Sequence, residues 1–204
     1  VMANVDAGSD RIINITQGVV LSDGTTLTAA QTTAWVAAVT AGASMTTSNT
    51  IKKYVGAVDV VPRMKTTAME AASKAGTLVL KVDKSQNVTI AYDVNSLTTY
   101  TDGKSKEFRK NRVVRTIDNI KSDLGIIYES SYVNKYDNDP DGQLLLKGVY
   151  CEYFKELNRK HAIKNFVTDD VTVTDGTEVD AVYVAVDVQP VDSIEKIYVD
   201  VNLV

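Results

Sequence analysis

The spacing of apolar residues changes partway along this 204-residue chain, and the change limits the folds that it can adopt. Apolar side chains recur every three or four positions over residues 105–133 and again over 140–161. Beyond Phe166 they alternate with polar residues instead, as at Val182, Val184, Val186 and Val188. A repeat near 3.6 residues is typical of an amphipathic helix, and a repeat of two is typical of a strand. The sequence therefore predicts two long helices followed by a β-rich end.

Two shorter helices are predicted in the first half of the chain. Thr28 and Gln31 have the spacing of a capping box, and Gly42 suits the end of the helix that follows. A second capping box is predicted at Thr67 and Glu70. Both helices are expected to be short because glycine ends each of them after a few turns.

The fold class that follows is α+β, with a mixed β-sheet packed against two long and two shorter helices. Residues 51–62 read as a strand, and residues 77–94 read as a hairpin with a polar turn. We expect three parts along the chain: an extended N-terminal segment at 1–25, a core domain at 26–190 and a C-terminal strand or arm at 191–204.

Charge is distributed unevenly along the chain. Residues 104–167 hold 13 basic and 9 acidic side chains, whereas the last 37 residues hold nine acids and only one lysine. Opposite charges of this kind attract each other, either within one molecule or between copies.

The densest positive segment is KSKEFRKNRVVR, residues 104–115. Its candidate contact residues are Lys106, Arg109, Lys110, Arg112 and Arg115. Cations at the start of a helix oppose the helix dipole, which favours either an acidic protein partner or simple solvation. Nucleic acid is disfavoured, because the whole chain has a net charge of −4 and only Phe108 is available nearby for stacking.

Catalytic and cofactor motifs are missing from the sequence. The single histidine, His161, and the single cysteine, Cys151, are ten residues apart on one predicted helix, about 15 Å along its axis. No Gly-x-Ser-x-Gly turn, zinc-ligand cluster or glycine-rich nucleotide loop occurs. We therefore assign no catalytic, cofactor-binding or metal-binding residue and expect no cofactor. No apolar run is long enough to span a membrane, so no membrane partner is expected.

The stretch DNDPDG, residues 137–142, matches the first half of an EF-hand calcium loop. The twelfth position, which should supply a bidentate glutamate, is Gly148. The same residues suit the start of a helix, with Asp139 as N-cap and Pro140 at the first position. We favour the helix start.

The C-terminal segment alternates strongly and is expected to form a strand that needs a sheet edge as its partner. That edge belongs either to the same molecule or to another. The apolar positions of this arm strand are Ile194, Ile197, Val199, Val201 and Leu203.

Four stretches resemble the C-terminal half of phage contractile tail sheath proteins, of the type found in Gram-positive prophages and phage-tail-like bacteriocins. They are NITQGVVLSDGTTLTAAQTTAWVAAVTAGA, YVGAVDVVPRM, KEFRKNRVVRTID and QPVDSIEKIYVDV. The resemblance extends in order over nearly the whole chain and rests on the combined pattern.

This resemblance implies a structural protein of the virion tail, assembled in the cytoplasm of the bacterial host. Its partners would be other sheath subunits, stacked as a helical contractile cylinder, and the inner tail tube protein. Terminal arms in this family add strands to the sheets of neighbouring subunits. The family also carries a longer N-terminal region, so the chain is expected to be a fragment.

Three functions therefore remain in competition. The leading one is a self-assembling sheath subunit whose arm runs from Ser193 to Val204 and whose basic segment faces the tube or a neighbour. The second is a β-rich, calcium-associated extracellular binding module. The third is a hydrolase that uses His161 and scattered acids.

Overall fold

A computed structural model describes residues 2–3, 7–132, 135–195, 197 and 199–200 of the chain. The chain divides into two compact units. The first comprises Val1–Val114 together with Asp192–Val204, and the second comprises Arg115–Val191. The three-part division at 1–25, 26–190 and 191–204 concerns which segments act as arms, and it stays a prediction.

The first unit contains eight short strands among its described residues. They are β1 (Met2–Ala3), β2 (Asn14–Ile15), β3 (Gly18–Leu21), β4 (Thr26–Leu27), β5 (Ala57–Val61), β6 (Thr77–Leu78), β7 (Leu80–Val82) and β8 (Val88–Ile90). The strands β1, β2 and β6 form a parallel sheet, and β4, β3 and β5 form an antiparallel one. The strands β7 and β8 form the predicted hairpin.

The strand predicted at 51–62 is shorter than expected, because only its second half lies in β5. The earlier residues run beside β8 instead, where Lys53 bridges to Thr89 and the Ile51 N–H donates to the Ile90 carbonyl at 2.8 Å.

Two helices complete the first unit, α1 (Ala29–Ala41) and α2 (Thr66–Lys74). The capping box predicted at Thr28 and Gln31 is confirmed, since both reciprocal hydrogen bonds are present. The capping box predicted at Thr67 and Glu70 is wrong. The N-cap of α2 is Lys65, so Thr67 already has a helical backbone and its side chain cannot cap the helix.

The core of the first unit is formed by the inner faces of these strands and one side of α1. Val36 of α1 is fully buried, as are Ile15 and Leu78 of the parallel sheet. Gln17 is also fully buried, and its amide is satisfied at both ends. Its Nε2 donates to the Pro62 carbonyl at 2.9 Å, and its Oε1 accepts from the Leu80 N–H at 2.8 Å. A buried amide with both ends paired ties neighbouring strands together.

The second unit is built on two long helices, α3 (Asn111–Ser131, whose first residues belong to the first unit) and α4 (Pro140–Arg159). Four strands follow: β9 (Ile163–Lys164), β10 (Val171–Asp175), β11 (Val182–Val186) and β12 (Gln189–Pro190). The strand β10 pairs antiparallel with β11, and β12 pairs antiparallel with β9. The helix α4 packs against β9 and β10.

The core of the second unit centres on Phe154, which is fully buried and packs against Phe166 with ring centroids 5.4 Å apart. Leu146 and Leu157 lie on the same buried face of α4. The hydroxyl of Tyr153 donates to the Asp123 carboxylate at 2.7 Å, which joins α4 to α3.

The α+β class, with two long and two shorter helices, is confirmed. The first long helix is shorter than predicted, because residues 106–109 form a 3-10 turn and α3 starts at Asn111. No helix in the described part of the chain is long and apolar enough to cross a bilayer.

Candidate assembly site

The basic segment lies at the start of α3, where it is held against a buried aspartate. Asp93 is 1% exposed, and its carboxylate accepts hydrogen bonds from the Asn49 N–H at 2.9 Å and from Asn111 Nδ2 at 2.8 Å. The extended backbone of Lys110 forms a β-bridge with Val94. Because Lys110 is extended here, the helix cannot include the residues before it.

Residues 192–195, which we call the arm root, bind this basic segment within the first unit. Lys110 Nζ lies 3.2 Å from the Asp192 carboxylate and forms a second ion pair with Glu195. Arg112 Nη1 donates to Ser193 Oγ at 3.2 Å. The attraction that the charge distribution predicts is therefore present within the chain. It also accounts for cations at a helix start, since acids lie beside them.

The Glu195 carboxylate is nearly enclosed, with its side chain 7% exposed. Its Oε1 accepts from Thr50 Oγ1 at 2.5 Å, and its Oε2 accepts from Lys110. Thr50 Oγ1 in turn accepts from the Asp93 N–H at 2.9 Å. Each carboxylate oxygen thus has a donor, as an enclosed charge requires. We call Thr50, Lys110 and Arg112 the arm socket.

Two opposing influences act on the pKa of Lys110. Burial of the ammonium group disfavours its charged form and by itself lowers the pKa. The hydrogen bond and the charge of Glu195, with a smaller effect from Asp192, favour the charged form and raise the pKa above its ordinary value. The second influence is the stronger, so Lys110 stays cationic in its pair across the neutral pH range.

The other basic residues of the segment have different surroundings. Lys106 is exposed and Arg109 is half-buried, and both line an open groove on the first unit together with Tyr92 and Tyr100. Arg115 lies in the second unit and is half-buried. The five predicted residues are therefore not one exposed band, and their role in contacting a partner stays a prediction.

The arm carries exposed apolar side chains. Ile194, Ile197 and Val199 are 89%, 80% and 74% exposed, and none of them lies in a strand. Val201 and Leu203 fall outside the described residues. The arm strand predicted from the alternation stays a prediction, and in the described part of the arm it has no strand partner in its own chain.

The hairpin of β10 and β11 has two open edges. Each strand is five residues long, and among the described strands neither pairs with a third. Val171 at its base is fully buried, whereas Tyr183 is 64% exposed. Unpaired backbone N–H and C=O groups along such an edge are a template for another strand.

The DNDPDG stretch starts a helix, as the favoured interpretation predicts. Asp139 is the N-cap of α4, where its Oδ1 accepts from the Gly142 N–H at 2.7 Å, and Pro140 is the first helical residue. Tyr132 donates its hydroxyl proton to the Gly142 carbonyl. Among the residues that the structure describes, no group of three or more His, Cys, Asp or Glu is arranged to hold a metal ion.

The cysteine lies on the predicted helix, but the histidine does not, because α4 ends at Arg159. Cys151 is buried in α4, and its thiol donates to the Thr168 carbonyl at 3.7 Å. His161 follows the end of the same helix, in a left-handed backbone conformation with φ 56°.

Sequence reasoning missed the polar contacts that hold the arm root. Glu195 lies just before the alternating set of Ile197, Val199, Val201 and Leu203. A glutamate is rarely buried, so its residue type alone indicates a solvent-facing side chain. Its partner Thr50 is 145 residues away along the chain. Local spacing contains no signal for such a pair, and the charge distribution was the only available indication.

Two family models match the chain. The phage tail sheath protein central domain matches residues 1–96, and the phage tail sheath C-terminal domain matches residues 103–204, which is half of the chain. The chain belongs to the phage tail sheath protein family. This confirms the resemblance seen in the sequence, and the family is structural and not enzymatic.

The relatives of this sheath-family chain come from bacterial and phage sources. It is 34% identical over 211 residues to the XkdK protein of the phage-like element PBSX from Bacillus subtilis, covering 100% of the chain and 45% of the relative. It is 33% identical over 171 residues to the tail sheath protein of Clostridium phage phiCD119, covering 84% of the chain and 47% of the relative. The chain thus spans about half the length of the curated relatives that it matches.

Solved structures of sheath proteins have the same fold. The sheath tail protein from Desulfitobacterium hafniense is 43% identical with a TM-score of 0.85, covering 97% of this chain and 46% of that one. The helical sheath of the anti-feeding prophage in its contracted state has a TM-score of 0.70 at 15% identity, covering 98% of this chain and 59% of that one. At that identity the second match shows a shared fold alone.

Proposed function

We propose that this chain is the assembling part of a contractile tail sheath subunit, which polymerises as a helical cylinder around an inner tail tube. The observation that carries the proposal is the match of residues 1–96 and 103–204 to the two sheath domains. On this view the protein is located in the virion tail and assembles in the host cytoplasm. Its partners are copies of itself and the tube protein.

Helical assembly requires an interface in which two different surfaces of the subunit meet, because a head-to-tail contact that does not close generates a filament. The arm supplies one of these surfaces. Its exposed Ile194, Ile197 and Val199 leave apolar area in water that a neighbouring subunit would cover. Strand addition suits such a segment, since backbone hydrogen bonds fix the direction and alternate side chains fix the register.

We propose the β10–β11 hairpin as the surface that accepts the arm. Its five-residue ladder has two open edges among the described strands, so it offers one pairing site on each side. A two-stranded hairpin is marginal in water, and a further strand would stabilise it.

Contraction follows from an array of this kind if the arms stay paired while the globular parts rotate. The lattice then has two packings that keep the same strand pairs. The switch needs no chemical step in the sheath subunit itself.

The basic segment is the proposed contact with an acidic tube surface. Lys106 and Arg109 are the residues to test first, because Lys110 and Arg112 bind the arm root. Replacing Lys106 and Arg109 with Glu is expected to abolish assembly on the tube. A matched control with Lys121→Glu and Lys164→Glu, two exposed lysines of the second unit, changes the net charge equally. Equal assembly of both variants would remove the tube contact from the proposal.

The experiment that tests the proposed function is arm truncation in the protein expressed at its full natural length. Electron microscopy of the intact protein should show striated cylinders. A variant that ends at Glu195 should remain folded, by circular dichroism, and should form no cylinders. Cylinders from the truncated variant would overturn the role of the arm, and an intact protein that never polymerises would overturn the sheath function.

A further inference from the structure

The arm has its polar and apolar side chains the opposite way round from a segment that folds onto its own domain. The side chain of Glu195 is 7% exposed, whereas Ile194 on one side of it is 89% exposed and Ile197 on the other is 80% exposed. Burying a carboxylate without hydrogen-bond partners is unfavourable. Leaving an isoleucine side chain in water is also unfavourable relative to burying it. A segment held only by its own hydrophobic contacts would show the reverse.

Each polar side chain of the arm root has a specific partner. The two Glu195 oxygens accept from Thr50 and Lys110, Asp192 pairs with Lys110, and Ser193 accepts from Arg112. These contacts span four consecutive residues and join them to the residue 50 loop and to the start of α3. Several contacts along so short a run fix the position of the backbone as well as its attachment.

We propose that the arm socket anchors Glu195 so that the arm leaves its own subunit at one fixed point, and that Glu195 and Lys110 are the positioning residues for strand donation. This inference rests on the strand exchange proposed above. Each extended residue spans at most about 3.5 Å, so release of the four residues Asp192–Glu195 would move the start of the free arm by up to about 14 Å. A fixed exit point removes that freedom before the arm meets a neighbour, which is preorganisation for binding.

The alternative is that the arm socket keeps the arm covered until assembly. The exposed side chains of the arm argue against this alternative. A hidden arm would have its apolar residues covered, yet Ile194, Ile197 and Val199 are exposed while the arm root is bound. The socket therefore holds the base of the arm and leaves its pairing residues available.

The test uses the protein at its full natural length with Asp192→Asn as the background, because Asp192 lies beside Lys110 and would repel a glutamate there. In this background it compares Glu195→Ala with the charge-exchanged double variant Lys110→Glu/Glu195→Lys. Loss of a partly buried charged hydrogen bond should raise the critical concentration for polymerisation about tenfold in Glu195→Ala. The double variant should recover most of that loss, because it restores an ion pair in the same place. Asp200→Ala, at an exposed acid of the same arm, is the matched control and should polymerise like the wild type.

A second readout does not depend on polymerisation. Spin labels at Val55→Cys and Ile197→Cys, both exposed in the first unit, report the distance from its body to the arm, with Cys151→Ala as background. The distance distribution should be narrow in the wild type and the double variant and broad in Glu195→Ala. Glu195→Gln, which keeps the shape but not the charge, serves if Glu195→Ala fails to fold, and it should also broaden the distribution.

The outcomes separate this inference from the proposed function. If truncation after Glu195 abolishes cylinders but Glu195→Ala polymerises like the wild type with a narrow distance distribution, the anchor is wrong and strand donation stands. If the truncated protein still forms cylinders, strand donation itself is wrong. A Glu195→Ala defect that the charge exchange does not relieve would also overturn the anchor, since any disruptive change there would then act alike.

Discussion

Phe154 is the residue on which the packing of the second unit depends most directly. It lies on α4, is fully buried and packs against the Phe166 ring. We expect Phe154→Ala to lower the free energy of unfolding by about 3–5 kcal/mol, because it removes apolar contacts and leaves a cavity. Leu144→Ala on the same helix, at a side chain that is 66% exposed, should change it by about 0.5 kcal/mol or less. Urea denaturation measures both, and equal effects would contradict the assigned core.

Gly76 and Gly148 should respond in opposite ways to the same substitution. Gly76 has φ 83°, and a Cβ there would lie 2.8 Å from the Ser96 carbonyl oxygen. Gly76→Ala should therefore destabilise the protein by more than about 1 kcal/mol. Gly148 lies within α4 with no atom near its Cβ position, so Gly148→Ala should stabilise the isolated chain by about 0.5–1 kcal/mol. Relative to the wild type, the melting temperature should therefore fall for Gly76→Ala and rise for Gly148→Ala.

The pKa of Lys110 determines how the arm root responds to pH. Its pKa is raised by Glu195 in the folded chain. The stability that this pair contributes is therefore fully present below the ordinary lysine value of about 10.4 and is lost as the pH rises through the raised pKa. A spin label at residue 197 should stay restricted through neutral pH and become mobile only in strong alkali. Lys110→Arg should stay restricted further into alkali, because guanidinium keeps its proton, and release near pH 8 would contradict the pairing.

At the scale of elements, what the sequence predicted well was local. The capping box of α1, the N-cap of α4 and the turn of the β7–β8 hairpin depend on residues within a few positions of one another. The wrong predictions concern positions where residues distant in the sequence determine the local structure. Asp93 and Val94 hold Asn111 and Lys110, so α3 starts later than its apolar repeat alone indicates.

The N-cap of α4 is testable against the calcium alternative. Asp139→Ala should lower the free energy of unfolding by about 1 kcal/mol, because the Gly142 N–H loses its acceptor. Asp137→Ala in the same stretch has no such role and should change it by about 0.5 kcal/mol or less. Calorimetric titration of the wild type with calcium should give no stoichiometric heat, since the twelfth loop position is Gly148. A saturable heat lost in both variants would favour a calcium loop.

At the scale of the whole molecule, the family was predictable from the sequence because its pattern extends along nearly the entire chain. The contacts of the arm root were less predictable from the sequence. The alternation predicted that Ile194, Ile197 and Val199 act in the arm, but it gave no indication that Glu195 between them is enclosed by Thr50 and Lys110. A pair formed across the fold depends on tertiary structure, and neither partner differs in type from ordinary surface residues.

Cross-linking between the arm and the hairpin tests the central claim most directly. The protein at its full natural length would carry Val199→Cys in the arm and Tyr183→Cys on β11, with Cys151→Ala as background, and would be treated with a short thiol cross-linker after assembly. Arm exchange predicts a ladder of dimers and higher multiples on a denaturing gel. A mixture of the two single-cysteine variants should stop at dimers. Cylinders that form normally but yield only cross-links within single chains would contradict the claim that sheath subunits are joined by their arms.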